Sequence, residues 1–172
     1  DAGAMFPIRS YVVPSGGVAS FTWSSIPTTY SHLQIRAIMR DNRSSNPDSL
    51  NIQFNSDTAA NYSYHYLSGD GSAPDAAGAA STNYMYFGRF PGADQTANIF
   101  GVMIVDILDY ANTNKYKTAR CLGGYDLNGS GLLRFDSGNW RSLSAIDTIK
   151  IYPASGTLFT QYSSFALYGV KA

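Results

Sequence analysis

Glutamate is absent from this chain of 172 residues, and lysine stands only at positions 115, 117, 150 and 171. Glu and Lys, with Ala and Leu, ordinarily fill exposed helix positions, so the chain is poorly supplied for surface helices. Its 13 Tyr, 9 Phe, 11 Thr, 21 Ser, 11 Asn and 16 Gly are instead the material of strands and turns. An all-β fold is the expectation, and the order of the residues supports it.

The apolar residues recur with period two. In His32 to Arg40, Leu33, Ile35, Ala37 and Met39 alternate with His32, Gln34, Arg36 and Arg40, which predicts a strand with one buried face. Leu50, Ile52 and Phe54 alternate with Asn51, Gln53 and Asn55 in the same way, and Tyr62 to Leu67 and Asn83 to Phe87 follow. Ile99 to Leu108 is apolar on both faces apart from Gly101 and Asp106, as in a strand buried on both sides or one whose outer face meets a neighbouring subunit. Further strands are predicted near 8–13, 18–24, 116–122, 132–136, 146–152 and 163–170. Gly69-Asp70-Gly71, Asn128-Gly129-Ser130-Gly131 and Asp136-Ser137-Gly138 are read as the sharp reversals. Asp41 to Ser49 reads as a loop, and Ser68 to Thr82, rich in Gly, Ala and Ser, as the longest segment without regular structure. The predicted fold is a two-sheet antiparallel β-sandwich, jelly-roll-like, of about ten strands. The length suits a single domain over 1–172, which buries roughly 70% of the surface its unfolded chain exposes.

Charge narrows the partners. Twelve basic and twelve acidic side chains cancel, so nucleic acid and anionic membranes, which need a basic surplus, are not the expected partners. No apolar run approaches the roughly 20 residues of a membrane span. Asp1 to Met5 has neither a basic nor an apolar signal region, and reads as a cloning remnant ahead of Met5 or as the cut end of a longer chain. Cys121, the one cysteine, lies in a strand-like run and is expected to be a small buried hydrophobe.

Chemistry-bearing constellations are scarce. His32 and His65 are the only histidines, and no Gly-x-Ser-x-Gly elbow accompanies them. Asp106 and Asp109, three residues apart in an extended chain, face opposite sides and make no glycosidase pair. Asp126-Leu127-Asn128-Gly129-Ser130 offers alternating oxygens without the closing Glu of a calcium loop, so Asx turns are the expected use of it and of Asp109 to Asn114. One Cys and two His make no zinc set, and no cofactor is expected. The chain is therefore expected not to be an enzyme. The aromatic residues carry more information: Tyr62, Tyr64, Tyr66, Tyr84 and Tyr86 are read as either core or an exposed platform. Asn139-Trp140-Arg141, after a predicted Gly turn, is read as exposed. The candidate ligand-binding residues are Trp140, Arg141, Tyr110, Asn112, Asn114, Tyr125 and Asp126.

Five blocks in order along the chain, Ile26 to Arg36, Asn61 to His65 with Gly69-Asp70-Gly71, Asp106 to Lys115, Gly123 to Asp126 and Gln161 to Lys171, resemble a family of tailed-bacteriophage virion proteins of the tail-fibre or structural type. The resemblance implies a module at the virion surface without catalysis, with family members differing most between Ser68 and Ala80. It implies one of two roles, and the enrichment of the loops in Tyr, Trp and Asn ranks the first ahead of the second. The first is a receptor- or carbohydrate-binding domain of a tail fibre or spike that contacts host surface glycan through aromatic and Asn/Asp-rich loops. Weak sites of that kind become useful in several copies. The second is a capsid decoration or cement protein whose strand faces bind other virion proteins. Either role implies a homo-oligomer, with a trimer as the usual symmetry.

Overall fold

The computed structural model describes residues 4–171. Asp1, Ala2 and Gly3 of the segment read as a remnant or cut end lie outside the described residues, as does Ala172. The described residues form twelve strands: β1 (Met5–Val12), β2 (Phe21–Trp23), β3 (His32–Met39), β4 (Asp48–Phe54), β5 (Tyr62–Gly69), β6 (Pro74–Thr82), β7 (Met85–Phe90), β8 (Gly101–Leu108), β9 (Lys117–Asp126), β10 (Gly131–Trp140), β11 (Ile149–Pro153) and β12 (Ser164–Val170). They make two antiparallel sheets, one of eight strands in the order β1-β12-β3-β8-β9-β10-β5-β6 and one of four in the order β2-β11-β4-β7. From β1 to β5 the chain changes sheet at every connection, and it does so again around β7 and β11, which is the winding of a jelly-roll-like sandwich.

The core lies between the sheets. The inward set of β3 predicted from its alternation, Leu33, Ile35, Ala37 and Met39, is buried, and Met103, Val105 and Ile107 of β8 lie beside it. Leu50, Ile52 and Phe54 of β4 and Ile149 and Ile151 of β11 close the core from the smaller sheet. Cys121 is buried on β9, as expected of a small hydrophobe. The Asn128-Gly129 reversal joins β9 to β10, with both residues at positive φ (65° and 113°) and the Leu127 amide donating to the Ser130 carbonyl at 2.7 Å. That geometry matches the right-handed strand twist and is why Asn-Gly is favoured there.

The structure corrects the sequence reading in three places. There are twelve strands where about ten were expected. Most of Ser68 to Thr82 is not irregular: Pro74–Thr82 is β6, the edge of the large sheet, paired with β5 from Tyr62↔Thr82 to Gly69↔Pro74. Its small residues are nearly all exposed, so no buried face left an alternation to detect. Asp136-Ser137-Gly138 is not a reversal but the middle of β10. A side chain at Gly138 would lie 2.7 Å from Phe87 Cζ and 2.8 Å from Met85 Sδ, so this glycine is required by close packing between the sheets.

Candidate functional site

The end of β10 decides the fate of the leading candidate. Because the strand continues through Gly138, Trp140 stays in register with Tyr62 on one side and Lys117 on the other. Its indole therefore turns inward and is 2% exposed. The ring stacks on Tyr62 (centroids 6.3 Å apart) and meets Phe54 edge-on, while Nε1 donates to Asp57 Oδ2 at 2.7 Å. Lys117 Nζ lies 6.0 Å from the ring centroid and donates to the carbonyls of Lys115 and Ser142; burial lowers its pKa. Tyr110 is likewise in the core, its hydroxyl donating to the Pro27 carbonyl. Neither residue presents a surface to a ligand, contrary to the reading of both as binding residues.

The other five candidates are divided between opposite ends of the large sheet. Arg141 is exposed, but its Nη2 donates to the Ala60 carbonyl at 2.6 Å and its amide to the Asn61 carbonyl, so it pins the loop before β5. Near it in the β8–β9 connection, Asn112 Oδ1 accepts the Asn114 amide at 2.8 Å in an Asx turn, and Lys115 pairs with Asp109. Asp109 receives a further contact from His32, whose Nδ1 accepts the Asp109 amide at 3.0 Å. Tyr125 and Asp126 close the far end of β9, a strand that starts at Lys117 and spans roughly 30 Å. Asp126 Oδ1 accepts the Asn128 amide at 2.7 Å, the Asx turn expected of that loop. The seven residues do not form one site. Nor do the histidines: His32 on β3 and His65 on β5 are separated by three intervening strands.

Buried charge is concentrated in two places that sequence reading did not single out. Arg134 and Asp136, two apart on β10 and so on one face, pair at 2.6 Å with both side chains almost wholly enclosed. The guanidinium lies 3.7 Å from the Tyr66 ring centroid and 5.0 Å from that of Tyr86, and the Gly88 amide donates to the second Asp136 oxygen. Burial holds Asp136 above the ordinary carboxyl range against the pull of Arg134.

The second place is Asp41 beside Asp48, both 0% exposed. Asp48 Oδ2 accepts the amides of Ser155 (2.9 Å) and Gly156 (2.7 Å), its Oδ1 accepts the Ser49 amide, and Arg43 approaches it at 3.5 Å. Burial and the neighbouring Asp48 raise Asp41 to about 8, so it holds a proton at neutral pH and shares it with Asp48. Burial alone would raise Asp48 too, but the Asp41 proton and the amides of Gly156, Ser155 and Ser49 outweigh it and lower its pKa. Asp41 thus takes up a proton on folding. Its contribution is complete below about pH 4 and is lost as the pH rises through about 8, whereas that of Asp48 is lost on acidification. We expect the melting temperature to fall between pH 5 and pH 9, and Asp41→Asn, which keeps a donor facing Asp48, to flatten that fall. Parallel curves for the two proteins in thermal scans across this range would contradict the shared proton.

The outer face of the large sheet is different in character. Strand register places Ala166, Arg36, Ile104, Leu122, Phe135 and Leu67 in one row across six strands. Ser164, Ile38, Val102, Gly124, Leu133 and Gly69 make the next row. These outward aliphatic and aromatic side chains are open to solvent, Leu133 at 63%, Leu67 at 58% and Val102 at 57% exposure. Of these, Ile38, Val102, Ile104, Leu122 and Leu133 floor a trough of about 1160 Å³ that Arg36 of β3 also lines and whose rim includes Asp70 and Asp126 from the two hairpin tips. Donors from Ala73 and Ser72 hold Asp70 ionised down to about pH 2. An apolar face of this continuity is not the usual outside of a free sheet. Its one sequence signal was the two-faced apolar run of β8; Leu67, Leu122, Leu133 and Phe135 join that run only through register.

No family model matches the chain and no curated protein matches it. Among solved structures, the crystal structure of the galectin LEC-6 of Caenorhabditis elegans is similar at a TM-score of 0.33 and 8% identity, with 95% of this chain and 96% of that chain covered.

Proposed function

We propose that this domain is a non-enzymatic assembly module that docks another protein surface in the apolar trough of its eight-stranded sheet. The observation that carries the reading is the outward-facing floor of Ile38, Val102, Ile104, Leu122 and Leu133. Such a floor offers methyl groups, with no nucleophile among them. Contiguous exposed apolar surface of this kind marks sites of association with proteins or membranes, and the cancelled charge of the chain supports a protein partner over an anionic bilayer.

The sequence resemblance to tailed-phage virion proteins supports a virion surface as the setting, in the role of a structural or decoration subunit. The glycan-recognition role, assigned to aromatic and Asn/Asp-rich loops, loses two of its aromatic residues, because Trp140 and Tyr110 are core. Substitution separates docking from folding here. Leu122→Asp with Leu133→Asp changes only outward side chains, so the melting temperature is expected to stay within a few degrees of wild type. Incorporation of the protein into particles, followed by immunogold labelling of purified virions, is expected to be lost. Wild-type labelling by the double variant would remove the trough as the docking surface.

A further inference from the structure

Resting on that reading, we infer that the occupant of the trough is a single amphipathic helix of the partner protein. It lies across the strands, with its N-terminus over the β5–β6 hairpin and its C-terminus at Arg36.

The outline of the apolar surface is that of a helix. On one side the two floor rows are bounded by a polar row, Gln34, Asp106, Arg120, Ser137 and His65, in register across β3, β8, β9, β10 and β5. On the other side they end at the hairpin tips that carry Asp70 and Asp126. The apolar band is therefore two rows wide, about 7 Å from row to row, and about 19 Å long from β3 to β5. A second sheet packs through a face several rows wide and would lay part of it on the polar row. One helix matches the band: about 13 residues span 19 Å at 1.5 Å per residue, and its apolar stripe is as narrow.

Backbone chemistry disfavours the other slender occupant. Each of these five strands is paired on both sides, so the floor offers no free backbone donor or acceptor. An extended segment laid there would find nothing in the trough to match its own N–H and C=O groups, whereas a helix brings them already bonded.

Two local features add detail. Gly124 leaves a notch between Val102 and Leu133, and a side chain there would collide with the Leu132 carbonyl, so the notch is fixed by the backbone. It takes one large apolar side chain of the helix. Charge sets the direction. Arg36 ends the band at β3, its guanidinium 5.6 Å from the Tyr168 ring centroid and its Nε donating to Gln34, while Asp70 stands at the β5 end. A helix is partially positive at its N-terminus and partially negative at its C-terminus, so it runs from Asp70 towards Arg36.

A synthetic peptide of about 15 residues, with Leu on one helical stripe and Gln and Lys elsewhere, is the probe. Two control peptides keep the composition, one with Leu scattered around the helix and one with Leu at alternate positions. The striped peptide is expected to bind wild type at micromolar concentrations and to gain helical circular dichroism as it does. Either control peptide, or Leu122→Asp with Leu133→Asp in the protein, is expected to weaken binding roughly ten-fold or more. A nitroxide at the peptide N-terminus should broaden the Asp70 and Gly71 amide resonances, and one at its C-terminus those of Arg36 and Ala166. The reverse pattern would overturn the direction. No binding of the striped peptide at about 1 mM, or equal binding of a control, would overturn the helix. So would sedimentation of the protein alone at twice 18.6 kDa, lost in the double variant, which would seat a second copy in the trough. If the striped peptide fails while the double variant still stays out of particles, the docking reading stands and only the helix falls.

Discussion

Trp140→Ala is expected to lower the stability of the domain by about 3–5 kcal/mol, the range for removing a large aromatic side chain from a packed core. The indole closes one end of the sandwich against Tyr62 and Phe54, and its Nε1 holds Asp57 in the loop that precedes β5. Removing it leaves a cavity and takes from Asp57 Oδ2 one of its two donors at the same time. Asp57 also accepts from Asn61 and from the Ala59 amide, so part of the loop should survive and the loss should be felt first in the core. Urea unfolding gives the value directly. A change below about 1 kcal/mol would mean that the side chain is not in the core and would return Trp140 to the surface.

Arg134→Met is expected to have a comparable effect for a different reason. The substitution keeps an apolar stem between Tyr66 and Tyr86 but leaves Asp136 enclosed without its cation. Breaking a buried pair on one side typically costs about 3–5 kcal/mol, because the remaining charge is neither solvated nor matched. Asp136 already lies above the ordinary carboxyl range, and without Arg134 it rises further. A carboxyl raised in the folded state loses stability as the pH rises, so the defect of Arg134→Met should shrink on acidification, as Asp136 takes up a proton. A pH-independent loss would show that packing against the two tyrosines, and not the charge, is what Arg134 supplies.

Much of the fold was legible because one face of most strands is buried. The alternation in His32 to Arg40 and in Leu50 to Asn55 located β3 and β4, and Asn128-Gly129 located a hairpin through its demand for positive φ. β6 escaped because an edge strand of exposed small residues has no apolar period to read. β10 was cut short because Asp136-Ser137-Gly138 has turn composition; its Asp is there for a buried guanidinium and its Gly for the Phe87 ring. That single misreading moved Trp140 from the core to an imagined loop.

The trough was legible only in part. One strand with two apolar faces says that something covers its outer side. The remaining floor belongs to strands far apart in sequence, and only pairing brings Leu67, Leu122 and Leu133 beside Val102. The Asp41–Asp48 pair was hidden for a similar reason. Both residues stand in a polar stretch of loop composition, and it is the return of Ser155 and Gly156 that encloses them.

The central claim is that the outer face of the large sheet is covered when the protein is at work. Thiol labelling of Leu133→Cys measures this most directly, since Cys121 is buried on the opposite face of the sheet and its thiol is held protonated by burial. In dilute isolated protein the introduced cysteine should react with a maleimide as fast as a free thiol does. In intact particles carrying the variant it should be protected by at least ten-fold. Equal labelling in the two states would contradict the assignment of the trough as a docking surface.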